Sequence, residues 1–536
     1  MPQRIIYDSS LPPVPIKSSS IFTYAFSDKA SLDHTPAYID AASGTRISRL
    51  ETYELSLQLA YAVRQRGQAR GEVAMIFRRA SPSLPYSYRL LAAGLRITLA
   101  NSSYTPPELV HQLKDSSAGI IFVHPALFPV LLNAFKLLGV SDRDARRRVI
   151  IMSYVDQDRA DEKAAKIGPE WTRLREFFGK GRLQSEELFV GDQVHETAFL
   201  CYSSGTTGLS KAWRLVMVLL WDFVTKVPQV IMPRFEPNFF AQALEKYKVT
   251  RACIVPPILV VMSFHPAFAT HDIRALKMMT SGAAPLGDSL VKKVLARFAE
   301  VGNTQIRLTQ GYGLTETSPT THWLPLEDTI RKMGTIGLLL PNLQARLVDD
   351  DENDIKPGPE NRGELWIRGP SVMKGYLNNP KATKNSITPD RWFKTGDIAV
   401  VDDEGFFSIV DRKKELIKYK GFQVPPADLE AVLLSNEDIL DAAVIGVDSV
   451  SEATELPRAY IVPRNGELLK DSEAAAAFGK EIQEWIKTKV AHHKFLRGGV
   501  IVLDVIPKSA SGKILRRTLR DLAAKEASQG TAKSRL

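Results

Sequence analysis

The segment Thr197-Ala198-Phe199-Leu200-Cys201-Tyr202-Ser203-Ser204-Gly205-Thr206-Thr207-Gly208-Leu209-Ser210-Lys211 decides how this chain is read. Its first part is a short apolar strand. Its second part is a loop of glycine, serine and threonine that ends in lysine. Glycine lets the backbone bend close to an anion, and hydroxyls and amides donate hydrogen bonds to phosphate oxygens. Lys211 adds a point charge at the rim. A strand that empties into such a loop predicts a phosphate site in an α/β architecture.

Other readings of these glycines fail. A Walker A loop needs lysine directly after its second glycine, and here Leu209 and Ser210 intervene. Ser203 is not in a nucleophile elbow, because Cys201 stands where the first glycine belongs. Gly311-Tyr312-Gly313 lacks the third glycine of a dinucleotide fingerprint, since Glu316 occupies that position.

Upstream of the loop, Leu55, Leu59, Ala62 and Val63 give residues 51–66 a helical period, and Glu72 to Phe77 reads as a strand. Residues 84–96 read as helix and Gly119 to Val123 as a buried strand. Residues 141–183, rich in Arg, Asp and Lys, read as surface helix and loop. The alternation predicts substantial parallel sheet. From about Leu347 the texture changes to short β-type runs between Asp349-Asp350-Asp351, Pro357-Gly358 and Arg362-Gly363. The acidic run fails the EF-hand pattern, because Asp354 replaces its glycine, so it reads as a solvated turn. After Asp411 the pattern returns to helix (426–435), strands (442–447, 458–462) and helix (473–490).

The 536 residues are 24% charged and 44% hydrophobic, an ordinary globular composition with the length for more than one domain. Two cysteines, Cys201 and Cys253, exclude a disulfide framework or a Cys-rich zinc site. Lys and Arg number 70 against 60 acids, a net charge of +10 that suits nucleic acid, membrane or small anions. No nucleic-acid module with a basic–aromatic surface is recognisable, so nucleic acid is not expected as a partner. The best membrane candidate, Leu215 to Trp221, stops at Asp222, far short of the about 20 residues a spanning helix needs, so no integral membrane segment is expected. The N-terminus has no long apolar core after Arg4, so a secretory signal is not expected. Ser534-Arg535-Leu536 is one conservative step from the S-K-L address and predicts recognition by the peroxisomal import receptor, with the cytoplasm as the alternative.

Five further segments complete a pattern with the 203–211 loop. They are Ser281 to Gly287 (SGAAPLG), Gln310 to Glu316 (QGYGLTE), Trp392 to Asp397 (WFKTGD), Asp411 to Gln423 (DRKKELIKYKGFQ) and Pro507 to Lys513 (PKSASGK). In this order they resemble the adenylate-forming superfamily, in particular the 4-coumarate–CoA ligase-like acyl-CoA ligases. The resemblance covers nearly the whole chain, starting by Thr105 to Lys114. It implies an α/β fold with a large multi-part N-terminal domain (1–411), made of α/β subdomains and a β-rich subdomain at about 345–411. A small mobile α+β C-terminal domain (412–536) would follow a hinge near 411–414.

The resemblance also implies a two-step reaction. A carboxylate attacks the α-phosphate of Mg-ATP to give acyl-AMP and pyrophosphate, and coenzyme A then displaces AMP. Ser203, Ser204, Gly205, Thr206, Thr207, Gly208 and Lys211 would cradle the β- and γ-phosphates, with Thr206 also catalytic. Glu316 would hold Mg²⁺, and Thr315 would lie beside the α-phosphate. Gln310, Gly311 and Tyr312 would line the adenine slot with Ala283 and Ala284. Asp397 would accept hydrogen bonds from the ribose hydroxyls near Arg412. Lys513 would bridge the carboxylate and the α-phosphate in the first step. Lys414 would serve as pivot or phosphate contact, Lys418 and Gln423 would approach the adenylate after a domain rotation, and Lys420-Gly421 would meet coenzyme A.

The chain departs from the family after Lys211. Where the family continues with Gly-Val and a His-containing helix, this chain reads Ala212-Trp213-Arg214, and the match resumes near Val230. A few dozen residues are missing, including an aromatic segment of the acyl pocket. Three explanations stand: coding sequence removed as an intron, a divergent ligase with a reshaped pocket, or a nucleotide-binding pseudoenzyme. An alternative enzyme reading, adenylation to load a carrier protein, would need an attachment module, and none follows Lys513. The acyl pocket near 277–286 and 314–323 reads as small or apolar (Met278, Met279, Leu314), which suits an aromatic or a medium-chain acid equally. A peroxisomal address is compatible with fatty-acid activation or specialised (secondary) metabolism. Residues 480–536 hold thirteen Lys and Arg against five acids, so most of the positive excess is expected to face ATP and coenzyme A phosphates.

Overall fold

A computed structural model describes residues 4–78, 89–153, 156–202, 224–232, 234–282, 286–420, 422–449, 452, 454–508 and 513–533. The chain forms two compact units. One comprises Pro15–Tyr247 with Gly375–Pro380; the other comprises Met1–Val14, Lys248–Lys374 and Lys381–Leu536.

The first unit is built on a six-stranded sheet. Its order is Thr172–Arg173, Val149–Ile151, Ile120–Val123, Val73–Phe77, Arg96–Ala100, Phe199–Leu200, and every pairing is parallel. Successive side chains of a strand face opposite ways, so a sheet covered on both sides needs apolar residues at every position. These strands comply. Ala74, Ile76, Ile120, Phe122 and Ile150 join a core with Leu57, Leu59, Ala60 and Val63 of the helix Arg49–Gln65. Met75, Phe77, Ile121, Val123 and Val149 join another with Leu109 and Leu113 of Pro106–Ser116 and Leu131 and Phe135 of Phe128–Leu138. The helix Arg49–Gln65 starts where its pattern does because Ser48 and Glu51 form a reciprocal capping box.

Two expectations need correction here. The segment 84–96 is not one helix. Its described part is the helical Arg89 and a 3₁₀ turn, Leu90–Ala93, ended by Gly94 at φ 72°, and a strand begins at Arg96. All four turn residues are buried, so the apolar run reflected burial on every side rather than a helical stripe. The segment 141–183 is not all surface: Val149–Ile151 is an inner strand of the sheet, hidden in the sequence behind the arginines of Asp142–Arg148. The apolar run Leu215 to Trp221 lies outside the described residues.

The second unit carries a five-stranded sheet, Arg251–Ile254, Met278–Ser281, Arg307–Gly313, Thr320–Trp323, Leu338–Leu339, parallel through its first three strands and antiparallel after them. An antiparallel sheet follows: Tyr7–Asp8, Gln344–Val348, Gly363–Arg368, Phe393–Val401, Phe407–Arg412. This is the β-rich region expected from Leu347 on. Its core is Ala345, Leu347, Leu365, Ile367, Ala399, Val401 and Phe407. The acidic run lies in the turn after Val348, where Asp349 takes the backbone N–H groups of Asp351 and Asn353.

Beyond Arg412 come the hairpin Ile417–Tyr419/Phe422–Val424 and a three-stranded sheet, Ile439–Ser449, Thr454–Pro463, Val500–Val502. Ala442 and Val444 face a core with Leu429, Leu433, Ile482 and Ile486, whereas Ala443 and Ile445 face Leu519 and Ala523 of the final helix Arg516–Lys533. The strand Ile439–Ser449 is therefore covered on both faces, and it is also an edge of its sheet.

Candidate active site

Tyr202, the last described residue before the expected phosphate loop, is fixed to the helix Pro106–Ser116. Its hydroxyl donates to Asp115 Oδ2 at 2.6 Å. Burial, and then the hydrogen bond to the Asp115 carboxylate, push the phenol pKa far up, so Tyr202 remains a donor. The loop residues Ser203, Ser204, Gly205, Thr206, Thr207, Gly208 and Lys211 lie outside the described residues, as do Ala283, Ala284 and Gly421.

Three of the expected nucleotide residues meet in the second unit. Asp397 and Arg412 stand opposite each other on neighbouring antiparallel strands, and Arg412 Nε lies 3.2 Å from Asp397 Oδ1. Tyr312 Oη donates to Asp397 Oδ2 at 2.6 Å. Asp397 is only 4% exposed, a burial that a carboxylate tolerates when it is paired. A carboxylate offers about four lone-pair sites. The Tyr312 hydrogen bond on one oxygen and the Arg412 ion pair on the other leave acceptor capacity on both for a pair of vicinal hydroxyls. Burial, followed by the Asp397 charge, holds the Tyr312 phenol well above its ordinary pKa.

Tyr312 is positioned by the glycines beside it. A Cβ on Gly313 would lie 1.8 Å from the Pro319 carbonyl oxygen, and one on Gly311 would lie 3.0 Å from the Trp323 ring. Only glycine allows the strands Arg307–Gly313 and Thr320–Trp323 to approach so closely. Their register places His322 opposite Tyr312, with ring centroids 5.8 Å apart and Phe407 4.7 Å from the imidazole on the other side. His322 is fully buried, its Nδ1 lies 2.9 Å from the Thr321 hydroxyl, and burial lowers its pKa to about 3. It is a neutral ring tilted against the tyrosine. The expectation that 314–323 is small or apolar missed this histidine, because a buried His leaves no periodic signal of its own.

The other expected residues are placed as follows. Gln310 is nearly buried, and its side-chain amide donates to the Thr335 carbonyl at 2.6 Å. Thr315 and Glu316 form a 3₁₀ turn, Thr315–Thr317, just past the strand, and the Glu316 carbonyl accepts from Met373 N at 2.8 Å. Met278 is half-buried, whereas Met279 is sealed in the core. Lys418 and Gln423 are direct cross-strand partners in the hairpin. Lys420 turns its tip at φ 45°, with Nζ 2.8 Å from Glu452. Lys414 is exposed, yet desolvation of its ammonium, then the charge of Arg412, lowers its pKa. Lys513 precedes the final helix.

The basic C-terminal segment requires a correction. Among the described residues, Lys487, Lys494, Lys508, Arg516 and Arg520 are ion-paired with Glu484, Asp428, Asp441, Glu430 and Glu415. Four of those acids lie between 411 and 441, before the counted segment. Part of the local excess is thus neutralised within the fold, while Glu526 of the same segment pairs with Arg458 outside it.

Residues 27–215 and 212–377 match the AMP-binding enzyme profile, and residues 428–513 match the AMP-binding enzyme C-terminal domain. The chain belongs to the AMP-binding enzyme family. Similar relatives include a probable 4-coumarate–CoA ligase 3 of Dictyostelium discoideum, 34% identical over 82% of this chain and 83% of its own length. A peroxisomal OPC-8:0-CoA ligase 1 of Arabidopsis thaliana is 32% identical over 96% and 94%. This AMP-binding enzyme also shares its fold with solved structures. The anthranilate CoA ligase AuaEII in complex with anthranoyl-AMP has a TM-score of 0.77 at 19% identity, over 97% of this chain and 99% of that one. A benzoate CoA ligase from Burkholderia xenovorans LB400 has 0.76 at 21%, over 94% and 99%. The chain is an ATP-dependent acid–thiol ligase of the adenylate-forming superfamily. Its family match is split at 212–215, where the sequence pattern breaks.

Proposed function

We propose that this ligase condenses an aromatic or medium-chain carboxylic acid with ATP to give an acyl-adenylate, and then transfers the acyl group to coenzyme A. The observation that carries the reading is the Tyr312–Asp397–Arg412 cluster, a buried carboxylate with one hydrogen bond and one ion pair in place and acceptor capacity left for a ribose. Asp397 fixes the ribose and Tyr312 and Gln310 flank the adenine. The 203–208 loop and Lys211 hold the β- and γ-phosphates, and Lys513 neutralises the charge that develops between the carboxylate and the α-phosphate.

Among the described residues, no three His, Cys, Asp or Glu side chains converge on a metal site. A single carboxylate is nevertheless the donor set that suits Mg²⁺, which keeps waters and binds chiefly through substrate phosphates. Glu316 would hold it, and the ion would supply charge neutralisation on the polyphosphate. Lys420 and Gly421 contact coenzyme A, and Lys418 and Gln423 the adenylate, after residues 412–536 rotate as a mobile domain about 411–414.

Two finer readings accompany this one. The Ser534-Arg535-Leu536 tripeptide and the peroxisomal name of the Arabidopsis relative support residence in peroxisomes. Among the described residues no helix is long and apolar enough to cross a membrane. A diffuse signal from a fluorescent protein fused to the last ten residues would contradict that address. The break at 212–215 favours, as a second reading, nucleotide binding without turnover.

The deciding experiment is pyrophosphate release with Mg-ATP and a panel that includes 4-coumarate and octanoate, followed by thioester formation with coenzyme A. Release with one acid supports the ligase. Nucleotide binding without release from any acid supports the second reading. Lys513→Ala should abolish adenylation and spare thioester formation from supplied acyl-adenylate.

A further inference from the structure

The described residues on either side of 509–512 are paired with each other, and Lys513 stands beside that closure. Lys508 and Ile514 form an antiparallel bridge, and Leu515 N donates to the Pro507 carbonyl at 2.8 Å. Each side of the closure is tied to the edge strand Ile439–Ser449. On one side, Lys508 Nζ lies 2.7 Å from the Asp441 carboxylate. On the other, Arg516 Nη2 lies 2.6 Å from Glu430 Oε1 and Arg516 Nε donates to the Val444 carbonyl at 3.2 Å. Glu430 Oε1 also accepts from Val444 N at 2.8 Å, so the pair takes up both backbone groups of one residue. The two anchor points on the strand, Asp441 and Val444, are three residues apart, as are Lys513 and Arg516.

We propose that Arg516, locked by Glu430, is a positioning residue that aims Lys513 in the adenylation step. The proposal rests on the role given above to Lys513. A long, flexible lysine can be placed only by fixing its backbone, and an error of about 1 Å at a reacting group can cost about a hundredfold in rate. The Arg516 and Glu430 side chains are 14% and 13% exposed, so the pair is largely shielded from water. Burial pushes the Glu430 carboxyl pKa up, and the Arg516 charge opposes that shift. Asp411 and Glu415 also act on Arg516 electrostatically. One helical turn on, Arg520 lies 2.6 Å from Glu415. Arg516 thus ties the start of the final helix to Glu430 and Val444, and Arg520 ties its next turn to Glu415.

The test uses the full chain with 4-coumarate and octanoate. ATP–pyrophosphate exchange reports adenylation, and thioester formation from the synthetic acyl-adenylate reports the second step. Arg516→Met should slow exchange about a hundredfold and leave the second step within about threefold. Arg516→Lys should recover part of the loss, because it keeps the charge without the forked donors. The double variant Glu430→Met with Arg516→Met should regain thermal stability, since no buried charge is stranded, but not the exchange rate.

Equal losses in both steps would overturn the proposal. So would an unchanged exchange rate in Arg516→Met while Lys513→Ala is inactive, or recovery of exchange in the double variant. Exchange that survives in Lys513→Ala would remove the role of Lys513 itself, and this proposal with it. A readout free of turnover is hydrogen exchange at the Leu515 amide, which Arg516→Met should accelerate about tenfold or more. If neither acid turns over, an unchanged Leu515 amide decides against the proposal.

Discussion

The Tyr312 hydroxyl and the Asp397 carboxylate, 85 residues apart in sequence, meet in a 2.6 Å hydrogen bond. The tyrosine expected against the adenine and the aspartate expected against the ribose are thus hydrogen-bonded to each other. A hydrogen bond to a charged acceptor contributes about 1.5–3 kcal/mol. Tyr312→Phe should therefore lower unfolding stability by about 1–2 kcal/mol in urea titrations and raise the KM for ATP roughly tenfold. An unchanged KM with lowered stability would confine the bond to a structural role.

Gly313 leaves no room for any side chain. A Cβ there would lie 1.8 Å from a backbone oxygen, which cannot rotate away. Gly313→Ala should cost roughly 4 kcal/mol or more, read as a large fall in Tm or loss of soluble protein. Gly396, with open space around its Cβ position, is the control for local crowding, although its φ of 72° adds its own strain.

His322 gives the protein an acid-sensitive core. Its folded pKa of about 3 lies below the ordinary 6.5, so the unfolded chain binds a proton that the folded chain refuses. Its contribution is complete above pH 6.5 and is lost as pH falls towards 3, by about 1.4 kcal/mol per unit. His322→Phe removes that dependence. Between pH 7 and pH 5 the variant should gain on the parent by about 2 kcal/mol, measured by chemical denaturation at each pH. A pH-independent difference would mean that the histidine is not kept neutral.

Tyr202 tests the approach to the phosphate loop. Tyr202→Phe removes its bond to Asp115 and should raise the KM for ATP several-fold, by about 1 kcal/mol, with little effect on coenzyme A. Equal shifts for both substrates would argue against a local role.

The fold was legible where periodicity and motif coincide. The helix Arg49–Gln65, the inner strands Val73–Phe77 and Ile120–Val123 and the β-rich region each follow from residue spacing. Val149–Ile151 did not, because three apolar residues behind a run of arginines give no period. Of the candidate site, the residue types at 310–316, 397 and 412 were legible as motifs, but their mutual bonds were not. Tyr312 with Asp397, and Glu430 with Arg516, are relationships across 85 and 86 residues that only the folded chain brings together. Part of the basic excess is matched across the fold in the same way, by acids that lie far back in the sequence.

The Glu430–Arg516 pair has a consequence beyond the chemistry. Ile439–Ser449 borders its sheet, and an uncovered border strand is a template for other chains. Val444 is the point at which such a strand would dock, and two side chains already occupy its amide and carbonyl. A copy of the protein that ends before Arg516 would bare that docking point together with the apolar face that Leu519 and Ala523 cover. Incomplete chains should therefore self-associate edge to edge and be cleared, so that the tail guards solubility as well as carrying a lysine.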